Sequence, residues 1–134
     1  MKVQICELEG EALRWAIAKV AGCALHKNGM LGGYVHPGWW VSWPRPANPN
    51  DWQRLAVPFP GVGEIINDLM EKHHVSTCYM EGDKLWWACV GDPFLDETIG
   101  WEGETRAKAG LRALLVAKLG DAEMGTIEVP DDLV

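Results

Sequence analysis

The stretch "HPGWWVSWPRPANPNDW" at residues 36–52 holds Trp39, Trp40, Trp43 and Trp52, half of the chain's eight tryptophans, with Arg45 inside it and Arg54 just beyond. Indole rings offer flat π surfaces, and guanidinium groups offer planar forks of donors. Together they suit a nucleobase stacked on its faces with a phosphate at its edge. Trp39, Trp40, Trp43, Arg45, Trp52 and Arg54 are therefore the candidate ligand-binding residues, with Lys27 adding charge nearby. Core packing explains the same indoles equally well, since tryptophan is costly to expose. Successive strand residues also point to opposite faces, which sets Trp39 against Trp40 and Trp86 against Trp87.

Other chemistry is poorly supplied. A nucleophilic site needs Ser or Cys beside a histidine and a group that orients it, and none of His26, His36, His73 and His74 falls in such a motif. His73 and His74 read as a solvated pair complementing a helix end. Asp92, Asp96, Glu97, Glu102 and Glu104 lack the spacing of a calcium loop and read as solvated. "GMLGGY" lacks the lysine and the preceding strand of a phosphate-binding loop. No catalytic residue, cofactor or metal ligand is assigned, and the balance favours binding over catalysis.

With 134 residues, 48% hydrophobic and 23% charged, the chain reads as one globular domain over residues 1–134. No apolar run is long enough for a membrane span. The start "MKVQICELEGEALRW" turns acidic where a signal peptide would be apolar, so a cytoplasmic location is expected. Cys6, Cys23, Cys78 and Cys89 form no C-x-x-C and read as buried free thiols. A Cys78–Cys89 disulfide stays open if the two face each other on paired strands, though the cytosol disfavours it.

The net charge of −7 is uneven. Residues 91–134 carry ten acids against Arg106, Lys108, Arg112 and Lys118, whereas residues 24–60 carry Lys27, Arg45 and Arg54 against Asp51 alone. This excludes a general nucleic-acid binder, which needs a cationic footprint. The one locally basic segment is the tryptophan-rich one.

The elements that must position these residues follow from periodicity. "KVQIC" alternates like a short strand. Leu13, Ala16, Ile17 and Val20 mark a helix over about residues 9–21, stopped by Gly22. A glycine-rich passage over 24–36 leads to a short strand around 39–43, bracketed by Pro37 and Pro44 as an edge strand would be. A proline-rich loop over 44–60 precedes a second helix over about 61–73. "VSTCYM" and "KLWWACV" flank "EGD" as a hairpin, with Gly82 expected to supply the positive φ. After an acidic loop over 91–103, "ETRAKAGLRALLVAKLGD" predicts a third helix with a stripe of Ala107, Leu111, Leu114, Leu115 and Leu119, a Glu104–Lys108 pair and a stop at Gly120. Leu111, Leu114 and Leu115 are expected to pack on a face of the hairpin. "GTIEVP" reads as extended. The class is α+β: a small, mostly antiparallel sheet with a central hairpin at about 75–90, packed by three helices.

Both ends of the chain resemble a family of short tailed-phage and prophage proteins catalogued as a domain of unknown function. Leu8, Gly10, Leu13, Trp15 and Ala18 match its L-x-G-x-x-L-D-W-x-V-A start; Pro49, Asp51 and Trp52 match a central P-S-T-D-W. Gly103, Arg112, Val116, Ala117, Lys118, Leu119, Gly120 and Asp121, followed by "EVPDDL", match its A-M-R-x-x-V-A-S-K-L-G-D block and acidic-proline end. The chain departs at Arg14, where the family usually has an acid, and at "LAVPFPGVGEII", which replaces a Gly-Gly-Pro-Ile-Ile-Glu run. The resemblance implies a phage or prophage accessory protein acting in the host cytoplasm, and it brings no catalytic residues.

Two functions are expected from these observations. One is a non-catalytic module that sequesters a small host molecule, with a nucleotide signal of antiphage defence as the ligand class. The other is a protein-interaction factor that binds a host enzyme or regulator through its acidic C-terminal third. An edge strand carrying Trp39 and Trp40 would also allow pairing with a second copy.

Overall fold

The structure is a computed structural model, which describes residues 1–31, 33–43, 52–92, 94, 99–121 and 123–133. The class is α+β, as read from the sequence: the described residues form three helices and three small antiparallel sheets. In chain order the elements are β1 (Lys2–Gln4), α1 (Gly10–Ala21), β2 (Ala24–Leu31), β3 (Tyr34–Ser42), β4 (Gln53–Arg54), α2 (Val62–Lys72), β5 (Val75–Met80), β6 (Leu85–Val90), β7 (Trp101–Gly103), α3 (Arg106–Leu119), β8 (Gly120–Asp121) and β9 (Thr126–Glu128). The strands join as β1–β9–β8, β2–β3–β4 and β5–β6–β7, so the single sheet expected around one hairpin is three sheets of three strands. Two of them are a local hairpin plus one short strand, which leaves no strand shared between sheets.

The third helix is the common packing surface. Thr105 caps it by accepting the Lys108 N–H at 3.1 Å, and the expected Glu104–Lys108 pair forms at 3.5 Å. Ala109, Gly110, Leu111, Ala113, Leu114, Leu115 and Val116 are all buried, a wider surface than the expected stripe, while Ala107 is exposed. A helix apolar on most sides must be covered on most sides. Leu111, Leu114, Leu115 and Val116 join the main core with Ile17 of α1 and Leu69 of α2. The hairpin face instead receives the small residues Ala109 and Ala113 against Ala88. The leucines thus join the main core, to which the hairpin adds Val75, while alanine lets the helix approach a sheet that already presents the bulky Trp86 and Trp101.

The hairpin over 75–90 forms in the expected register, Val75 to Val90 and Met80 to Leu85. Its four-residue turn puts Lys84, not Gly82, at positive φ (55°). Cys89 lies opposite Ser76 and Cys78 opposite Trp87, so no disulfide joins them; all four cysteines are free. Cys89 is buried but Cys6 and Cys78 are exposed, which corrects the expectation of four buried thiols. Gly22 ends α1 in the left-handed region (φ 75°), as its position predicts.

Candidate functional site

Residues 24–42 form a long hairpin, where a loop and a short edge strand were expected. β3 is the middle strand of its sheet, paired with β2 along its length and with β4 at Trp40 and Val41. Pro37 sits inside it. The ladder runs Lys27 to Trp39 and then Gly29 to His36, so Pro37 and Gly38 together oppose Asn28 in a bulge. Proline lacks an N–H and is tolerated at such a bulge. Asn28 adopts φ 59°, and its Oδ1 accepts the Gly38 N–H at 3.1 Å in place of a ladder bond. Gly33 (φ 81°) between the strands is the available hairpin signal. Because both edges of β3 are paired around Trp40, dimerisation by strand addition at this point is closed.

The two faces of this sheet are chemically distinct. On the inner face Val41 and Leu55 are fully buried and Trp43 is 2% exposed. The Trp43 indole stacks on Phe59 with ring centroids 5.6 Å apart and planes 9° apart. Trp39 packs against the same core, half-buried, and donates its indole N–H to Asp132 Oδ2 at 2.9 Å. Lys27 reaches the same carboxylate at 3.1 Å. The Lys27 ammonium, and secondarily the Trp39 N–H, hold the Asp132 carboxyl below its usual range.

On the outer face His26, Trp40 and Arg54 stand in register across the three strands. The Arg54 guanidinium carbon lies over the Trp40 ring, 5.1 Å from its centroid. His36 meets the same indole edge-on at 6.0 Å, and its backbone carbonyl accepts the Trp40 N–H at 3.2 Å. Trp52 is 44% exposed and sits edge-on to His26 at 6.4 Å. Trp40 lies across Gly29, where an added Cβ would come within 3.2 Å of the indole. Gly29, next to the bulge, therefore leaves room for the ring against the strand.

Of the six sequence candidates, the fold brings Trp40, Trp52 and Arg54 together. Strand alternation turns Trp39 and Trp43 to the other side, where one is tied to Asp132 and the other is core. Arg45 lies outside the described residues, as do Pro49 and Asp51. Two of the four candidate indoles, Trp40 and Trp52, therefore share an open platform with Arg54. His26 and His36 belong to it and were missed, because only the β2–β3 register brings them beside the tryptophans.

Elsewhere, Glu128 and Asp131 accept from the amino terminus at 3.0 and 2.9 Å, and Asp132 is engaged as above. Glu104, Glu128, Asp131 and Asp132 of the C-terminal third are thus engaged within the chain, while Asp96 and Glu97 lie outside the described residues. Among the described residues, no group of three or more His, Cys, Asp or Glu could hold a metal ion, and no helix is long and apolar enough to cross a membrane. No protein-family model matches the chain, and no curated protein matches it. Arg14 donates from Nε to the Leu55 carbonyl at 2.7 Å and from Nη2 to the Ala56 carbonyl at 2.9 Å.

Proposed function

We propose that this protein is a non-catalytic binding module, a phage accessory protein that sequesters a small host molecule, and that the outer face of β2–β3–β4 is its site. The observation that carries this reading is the Arg54 guanidinium held over Trp40 beside the exposed Trp52, flanked by His26 and His36. An aromatic plane next to a fork of donors fits a planar ligand with an anionic edge. A nucleotide signal of host antiphage defence is the class that combines those features with the phage setting. Arg54 supplies positive charge at this face, while Lys27 of the same segment is paired with Asp132 on the other side of the sheet.

Isothermal titration against a panel of linear and cyclic nucleotides tests the reading. One class of nucleotide should give saturable heat, with a dissociation constant below about 100 μM. Absence of heat across the panel at that concentration overturns it.

A further inference from the structure

A second concavity lies on a different part of the molecule, among α1, α2 and α3. It encloses about 410 Å³. Leu13, Ile17, Val62, Ile66, Leu111 and Leu115 make apolar walls, and Phe59 closes one side. Its charged lining residues are three cations, Arg14, Lys108 and Arg112, against the single acid Glu9. That is a local reversal of sign in an acidic chain.

Each cation keeps donor capacity. Arg14 spends Nε and Nη2 on the Leu55 and Ala56 carbonyls, and Arg112 spends Nη1 on the Glu102 carbonyl at 2.6 Å. These bonds fix the guanidinium groups at the rim while leaving further N–H donors on each fork. Lys108 pairs with the exposed Glu104 at 3.5 Å, a weak surface contact. Gly10 opens α1 at the same rim, and Glu9 before it makes no side-chain cap, so the first-turn N–H groups add positive potential there.

We propose that this cleft binds a small amphipathic anion, an alkyl chain in the apolar trough with its carboxylate at Arg14 and Arg112. The volume falls in the range of small-molecule sites, about 300–1,000 Å³. A helix or protein surface would need a far larger face than this trough offers. A neutral apolar ligand would offer Arg14 and Arg112 no counter-charge. The inference is independent of the tryptophan platform and needs neither Trp40 nor Trp52.

Decanoate, kept below its micellar concentration, is the probe, with decanol as the neutral comparison. Cys6 lines the cleft, and Cys78 is exposed on the hairpin, outside its lining. Site-resolved alkylation with iodoacetamide should slow at Cys6 in the presence of decanoate and stay unchanged at Cys78. Arg112→Gln should weaken decanoate by about tenfold, the weight of one charge-assisted hydrogen bond, and leave decanol unaffected. Trp40→Ala should leave decanoate binding unchanged. Equal binding of decanol and decanoate, equal protection of both cysteines, or no saturable protection of Cys6 each overturns the proposal.

Discussion

Arg54 and Trp40 stand opposite one another on neighbouring strands, and the guanidinium carbon lies 5.1 Å from the indole centroid. Both are reachable from solvent, so the pair supports a surface more than it supports the fold. Such a contact is worth about 0.5–1 kcal/mol at an exposed site. Arg54→Gln should therefore shift the denaturation midpoint only slightly. Nucleotide affinity should fall by about tenfold or more, since the charged donors are lost. Calorimetry on the same preparation reads both effects.

Two tryptophans from one motif should behave oppositely. Trp43 is 2% exposed and stacked on Phe59, so Trp43→Ala opens a cavity and should cost about 3–5 kcal/mol. Trp52 is 44% exposed, and Trp52→Ala should cost about 0.5 kcal/mol or less while weakening ligand binding. Urea denaturation of the two variants checks the contrast; equal losses would contradict the assignment of faces.

Arg14 ties α1 to the segment leaving β4 through the Leu55 and Ala56 carbonyls. Arg14→Ala should destabilise by about 1–2 kcal/mol, the lower part of the range for charged hydrogen bonds because the site is partly solvated. Arg14→Glu should be worse than Arg14→Ala, since a carboxylate would face two carbonyl oxygens. The arginine and the carbonyls that accept from it thus form one unit. Thermal melts of both variants decide the order.

The Asp132 cluster predicts an acid-side dependence. The Lys27 ammonium and the Trp39 N–H favour the ionised carboxyl, so its folded pKa lies below its unfolded value. Such a group contributes stability above its unfolded pKa, and loses it as pH falls through the folded one. Asp132→Asn should be less stable than the parent protein near neutral pH, and the gap should close as pH drops below about 4. Stability curves collected across that window test the sign.

The sequence was most legible where one local rule acted alone. Leu13, Ala16 and Ile17 marked α1, Gly22 stopped it, and the 75–90 hairpin paired as its alternation required. Legibility failed where tertiary context overrode a local rule. Pro37 argued for the edge of a strand, but the bulge at Asn28 lets it sit within a central one. Gly82 looked like the turn's positive-φ residue, yet a four-residue turn puts that conformation at Lys84. In the sequence the leucines of α3 have no apolar surface visible nearby except the hairpin, whereas the fold brings them to Ile17 and Leu69 and sets Ala109 and Ala113 against Ala88. In the candidate site, alternation separated Trp39 from Trp40 correctly. It could not supply His26 and His36, whose place depends on register across a bulge.

The most direct test of the platform reads each indole separately. A ¹H–¹⁵N spectrum gives one indole signal per tryptophan, eight in all. Titration with the nucleotide that calorimetry identifies should shift the Trp40 and Trp52 signals along a saturable curve, with Trp15 and Trp43 unmoved. Saturable shifts at Trp15 or Trp43 with Trp40 and Trp52 unchanged would contradict the account, as would no shift at any indole while heat is released.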